Sequence, residues 1–132
     1  MINFFLVDGF YHAVDVPGYG FADRSNKELI AFDKMMDGYF SLKERIRLVV
    51  MIVDARHRPT SDDVDMIEYL RHHHLKVVIV ANKIDKLSQS EQHSCAKMIS
   101  ETLNVPESTI YKTSTLKRRG IDELKSYIEA CV

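Results

Sequence analysis

Val77-Val78-Ile79-Val80-Ala81-Asn82-Lys83-Ile84-Asp85 sets an uninterrupted apolar run directly before a polar Asn-Lys-x-Asp tetrad. Such a run, mostly β-branched, predicts a strand covered on both faces, as in a parallel sheet. The tetrad then falls just past the carboxyl end of the strand, the edge at which α/β sheets collect ligands. Two other segments repeat the arrangement. Asp15-Val16-Pro17-Gly18 closes a strand over Tyr11–Val16, and Thr113-Ser114-Thr115 follows one over Thr109–Lys112. Three separate segments are thereby expected to meet in one crevice.

Outward from this stretch, strand and helix patterns alternate. Asn3–Val7 and Tyr11–Val16 flank Asp8-Gly9, a dipeptide suited to the positive φ of a hairpin turn. Leu29, Phe32, Met36 and Phe40 recur at helical spacing, and Leu48–Val53 is again continuously apolar. Thr60-x-x-Asp63 resembles a capping box, opening a helix with Val64, Ile67 and Leu70 inward. Ser88-x-x-Glu91 opens another, with Cys95, Met98, Ile99 and Leu103 on one face. Ile121, Leu124, Ile128 and Cys131 stripe the last helix. The order β-β-α-β-α-β-α-β-α predicts an α/β fold: a mostly parallel sheet with helices on both faces and right-handed crossovers.

Composition excludes several classes. A chain of 132 residues, 45% hydrophobic and 28% charged, is of single-domain size and ordinary globular make-up. A net charge of −1 gives no bulk electrostatic attraction to nucleic acid or anionic lipid. Lys117-Arg118-Arg119 reads as a solvated loop before a helix, with RNA contact as the sharper alternative. Cys95 and Cys131 read as structural buried thiols in a reducing compartment. The apolar opening stops at Asp8 and lacks a basic flank, so it is a strand, not a signal peptide. No run is long enough to span a membrane. His72-His73-His74 fan around a helix end and do not converge on one ion, and Arg56-His57-Arg58 reads as structural before it reads as an RNA contact.

Each motif has a definite chemistry. A carboxylate at Asp15 can hold a Mg²⁺-bound water, because Mg²⁺ keeps several waters and takes few protein ligands. Gly18, without a Cβ, lets its backbone N–H approach a terminal phosphate. Asp85 offers two acceptor oxygens to the adjacent N1–H and N2–H₂ donors of guanine. Adenine would leave them unpaired, a discrimination on the order of several kcal/mol. The stem of Lys83 can cover the base while its ammonium stays wet. Asn82 carries donor and acceptor groups to tie loops together. At Thr113-Ser114-Thr115 a backbone N–H, near Ser114 or Thr115, would be given to guanine O6. Asp85 is expected to stay exposed in its loop.

Val14-Asp15-Val16-Pro17-Gly18-Tyr19-Gly20-Phe21-Ala22, Val53-Asp54-Ala55-Arg56-His57-Arg58-Pro59-Thr60 with Asp63, and Asn82-Lys83-Ile84-Asp85-Lys86-Leu87-Ser88 together resemble the EngB (YsxC/YihA) family of bacterial ribosome-biogenesis GTPases. The resemblance covers nearly the whole chain and implies the P-loop GTPase sheet over a single G domain, 1–132. It implies GTP or GDP with Mg²⁺ as ligands, held by Asp15, Val16, Pro17, Gly18, Asn82, Lys83, Ile84, Asp85, Thr113, Ser114 and Thr115, with Asp15 reaching the metal through water. It further implies the large ribosomal subunit as partner, a role in cell division and septation, and a cytoplasmic location without membrane attachment.

The sequence departs from that pattern in named places. No Gly-x-x-x-x-Gly-Lys-Ser/Thr phosphate loop occurs, and only fourteen residues precede Asp15, so the first strand and P-loop are expected to be missing from a truncated domain. Arg58 stands where the family has Gly, and Tyr19 stands where Ras-type GTPases have a water-orienting Gln, so no catalytic residue is assigned. The chain alone is expected not to hydrolyse GTP at a family-like rate, since phosphoryl transfer rests on the positioned groups of that loop. Loss of a central strand would leave edges that close directly, self-associate with another chain, or take up a further segment. The alternative to a GTP-binding protein is a non-catalytic remnant acting as an interaction module. A flavodoxin-like phosphate binder is a third class, disfavoured because no Ser/Thr/Gly-rich loop follows any strand.

Overall fold

A computed structural model describes residues 3–15, 34, 37–38 and 46–132. The expected helix of Leu29, Phe32, Met36 and Phe40 lies outside the described residues, as do Val16, Pro17 and Gly18. Strands β1 (Asn3–Val7) and β2 (Tyr11–Asp15) form an antiparallel hairpin, with Val7 opposite Tyr11. Asp8 and Gly9 both take positive φ in its turn, at 51° and 66°. The hairpin is a sheet of its own. A second sheet is parallel, in the order β3 (Val49–Asp54), β4 (Val77–Asn82), β5 (Ile110–Lys112). The expected mostly parallel α/β sheet is therefore present as three strands, and β2 is not hydrogen-bonded beside β3.

Helices α1 (Ser61–His72) and α2 (Gln89–Leu103) begin where the sequence placed them. Thr60 Oγ1 accepts from the Asp63 N–H at 3.2 Å while the Thr60 N–H donates to Asp63 Oδ2 at 2.8 Å. Ser88 and Glu91 make the same reciprocal pair, at 3.3 and 2.9 Å. Each box occupies two of the four backbone donors that a helix start leaves over. Ile67 of α1 and Cys95, Ala96, Ile99 and Leu103 of α2 close over Met51, Val53, Ile79, Ala81 and Ile110. Alternation along a strand puts those sheet residues on one face. Val64 and Met98 are half-buried at the margin of the same core.

The opposite face carries Val78 and Val80, both buried, and Tyr111, whose ring lies 5.2 Å from that of Tyr127 in α3 (Ile121–Cys131). The α3 stripe is only half-buried at Ile121, Leu124, Ile128 and Cys131. Cys131 is accordingly less enclosed than expected, whereas Cys95 is buried; both thiols are free. On this face Val50 and Ile52 remain 38% and 64% exposed, so the apolar run of β3 is covered on one side rather than two. Among the described residues, no helix is long and apolar enough to cross a membrane.

Candidate guanine-base site

The carboxyl ends of β4 and β5 are bound together before any side chain is considered. The Thr113 N–H donates to Ala81 O at 2.9 Å, and the Ile84 N–H returns to Thr113 O at 3.2 Å. The 113–120 loop then folds on itself, with Ser114 and Arg119 exchanging both backbone hydrogen bonds at 2.9 Å. Its closure depends on Gly120. A Cβ there would sit 2.2 Å from the Lys112 carbonyl oxygen, and its φ of 73° is left-handed. Glycine alone has neither the atom nor the penalty.

On this frame the two sequence motifs interlock. Asn82 Oδ1 accepts from Thr113 Oγ1–H at 3.0 Å and from the Thr115 N–H at 3.3 Å. With that oxygen committed, the amide nitrogen of Asn82 points the other way. Ser114 Oγ–H donates to Asp85 Oδ1 at 2.7 Å, and Ser114 Oγ accepts from the Lys117 N–H at 3.0 Å. Thr113 and Ser114 have no exposed surface at all. Of the two backbone donors proposed for a base oxygen, the Ser114 N–H is spent on Arg119, while the Thr115 N–H is held only at the long end of hydrogen-bond distance.

Asp85 departs from expectation. Its side chain is 8% exposed, not open, because the Ser114 hydroxyl draws the carboxylate against the 113–120 loop. That hydrogen bond holds its pKa below the ordinary carboxylate value, helped by Lys86 and Lys117 against the opposing effect of desolvation. Lys83 stands beside it in the left-handed region, at φ 70° and ψ 30°, half-exposed. Ile84 is buried in the core and anchors the short 3₁₀ turn Ile84–Lys86.

Two residues enter this surroundings that motif reading passed over. Asp54 ends β3 directly beside Asn82 in the parallel register, and its carboxylate takes a two-pronged guanidinium from Arg56: Nε to Oδ1 at 3.0 Å and Nη2 to Oδ2 at 2.7 Å. The Arg56 N–H adds a further bond to Oδ1 at 3.0 Å. These hydrogen bonds hold the Asp54 carboxyl far below its usual range. Lys83 Nζ lies 3.5 Å from Asp54 Oδ2. The available signal was the acid-x-Arg at the end of a strand whose last residue pairs with the first residue of the tetrad.

Asp15 is exposed at the end of β2, opposite Asn3 in the hairpin. Among the described residues no hydrogen bond or ion pair joins it to either loop. The structure thus brings residues 82–85 and 113–115 together, and leaves Asp15 on the separate hairpin.

Known proteins resemble this chain over most of its length. The probable GTP-binding protein EngB of Geobacillus sp. (strain WCH70) is 47% identical over 106 residues, which is 80% of this chain and 55% of that protein. Its namesake from Clostridium perfringens (strain 13 / Type A) is 40% identical over 129 residues, 97% of this chain and 66% of its own length. That of Bacillus subtilis (strain 168) is 39% identical over 123 residues, 92% and 63%. The chain belongs to the EngB family. A crystal structure of a probable GTP-binding protein engB superposes with a TM-score of 0.77 at 22% identity, over 91% of this chain and 75% of that one, a likeness of fold. Residues 4–128 also match the GTPase-domain family model described as ferrous iron transport protein B, and the chain belongs to that broader group of domains. The chain spans 55 to 66% of the length of these EngB relatives.

Proposed function

We propose that residues 82–85 and 113–115 hold the base of a guanine nucleotide, GTP or GDP. One observation supports this most directly: the Ser114 hydroxyl fixes Asp85 Oδ1 at 2.7 Å, so the carboxylate is oriented before any ligand arrives. Preset acceptors lose little ordering entropy on binding. Asp85 would accept from N1–H and N2–H₂ of the base, Lys83 would lay its methylenes on the ring face, and the Thr115 N–H would turn toward O6. The Asn82 amide nitrogen donates to none of the described residues and would serve the ring edge.

Asp15, Val16, Pro17 and Gly18 complete the proposal at the phosphates. The exposed Asp15 carboxylate would hold a water of Mg²⁺, an ion that neutralises phosphate charge when bound. In this reading the protein works in the cytoplasm at the large ribosomal subunit, in support of cell division. The exposed Lys117, Arg118 and Arg119 beside the base loop favour an anionic partner. Co-sedimentation with large subunits, lost in a Lys117→Glu/Arg118→Glu variant, tests that partner. Self-association along β3, with its exposed Val50 and Ile52, is tested by light scattering across concentration.

Base reading is tested by competitive binding of GDP, ADP and XDP. Asp85→Asn replaces one acceptor by a donor that faces a guanine donor but complements the C2 carbonyl of xanthine. The expected result is a loss of GDP affinity of roughly ten- to a hundredfold, or about 1.5–3 kcal/mol, with a gain for XDP. Because Asp85 is nearly enclosed, the thermal midpoint is measured beside it. The asparagine can still accept from Ser114, so the fold should hold. An unaltered GDP-over-XDP preference in a folded variant would remove Asp85 from this role.

A further inference from the structure

We propose that Asp54, fixed by Arg56, is a positioning residue for Lys83: it holds the lysine stem in place at the base site. The inference rests on the base-site reading above, but it concerns a residue outside both motifs. Three observations carry it. First, Asp54 is the last residue of β3 and Asn82 the last of β4, paired in parallel register, so the acid sits one strand away from the lysine that follows. The Ala55 N–H donates to Asn82 O at 2.8 Å, extending the ladder past both strand ends.

Second, the Asp54 carboxylate cannot swing freely. Arg56 grips it through its backbone N–H and both arms of its guanidinium, at 3.0 Å to Oδ1 and 2.7 Å to Oδ2. Oδ2 is left facing Lys83 Nζ at 3.5 Å. Third, Lys83 adopts a left-handed backbone (φ 70°), a conformation that non-glycine residues hold only when their surroundings fix it. An exposed ion pair contributes little to global stability. What this one supplies is order: a flexible four-methylene stem, 53% exposed, is tethered at its far end before a base is present to stack on it. The low protonation tendency of Asp54 keeps the tether charged throughout the physiological range.

The test is a double-mutant cycle in the full chain, with mant-GDP as probe. Asp54→Asn should weaken mant-GDP binding three- to tenfold, mainly by faster dissociation, while the GDP:XDP preference set by Asp85 stays unchanged. In a Lys83→Met background, which keeps an apolar stem but has no ammonium to tether, Asp54→Asn should cost less than twofold. Arg56→Gln, a second route to the same loosening, should behave like Asp54→Asn and guards against misfolding of the first variant. In nucleotide-free protein, ¹³C relaxation of the Lys83 methylenes should show greater mobility in Asp54→Asn. Equal losses in both backgrounds, or no loss in the parent, overturns the positioning role. Methylenes that loosen in Asp54→Asn while the parent shows no guanine preference would uphold the tether and sink the base-site reading instead.

Discussion

At the scale of single residues, the site is held by small groups in enclosed places. Ser114 acts on Asp85 through one hydroxyl, Thr113 on Asn82 through another, and Gly120 lets the 113–120 loop close by having no side chain. Gly120→Ala puts a methyl 2.2 Å from a backbone carbonyl and forces alanine into a left-handed conformation. We expect a loss of about 1–3 kcal/mol in urea unfolding, together with weaker guanine-nucleotide binding because the 113–120 loop must shift. A stable variant with unchanged affinity would show that the loop tolerates displacement. Which of these residues could be read beforehand follows from where their partners lie. Asn82 and Asp85 stand out in the sequence because they belong to one tetrad after a strand. The enclosure of Asp85 does not, since Ser114 lies 29 residues further on. The work of Gly120 shows only once the 113–120 loop has closed onto the Lys112 carbonyl. The Asp54–Arg56 fork is local in sequence, but its place beside Asn82 depends on the pairing of two strands.

At the scale of elements, the helix starts were the most legible features, because a capping box is local: donor and acceptor are three residues apart and need no tertiary information. Thr60→Ala and Ser88→Ala should each cost about 1 kcal/mol in unfolding free energy. Additivity in the double variant is expected, since the two boxes share no partners. Urea titrations of the three variants check this. Helix ends were less legible. The far end of α2 is closed from outside by Arg71 of α1, whose Nη2 donates to Leu103 O at 2.8 Å and also reaches Asn104 O. Nothing in the pattern around Arg71 or Leu103 announces that contact. Strand identity was legible, and so was the hairpin, because Asp8-Gly9 marks its turn within the chain. That the hairpin forms a sheet apart from β3 was not, since no local pattern records it.

At the scale of the whole molecule, acid is the expected weakness. Asp54, Asp85 and Glu91 all have folded-state pKa values below their ordinary values, through Arg56, Ser114 and the Ser88 N–H respectively. A group depressed on folding contributes stability that is complete above its unfolded value and is lost as pH falls through the folded one. Urea midpoints should therefore show no fall from these three groups between pH 8 and about pH 5. They should decline progressively below about pH 4, the range of free carboxylates. Asp54→Asn should lessen that decline, because the substituted group no longer takes up a proton. An identical acid profile in the variant would detach Asp54 from the effect.

The parallel sheet has one more consequence, which concerns the order in which the molecule comes apart. β4 lies between β3 and β5, with Val78 to Ala81 almost wholly enclosed, and both base loops leave from β4 and its neighbour. The hairpin of β1 and β2 has Phe5, Leu6 and Phe10 more than half exposed. Amide hydrogens of Val78–Ala81 should thus exchange with deuterium only through global opening, and those of Phe5–Val7 through local fraying. The base loops, riding on the slowest-exchanging strand, would keep their shape through breathing motions that open the hairpin. A ligand waiting on the pocket would meet it formed while other parts of the chain are momentarily undone.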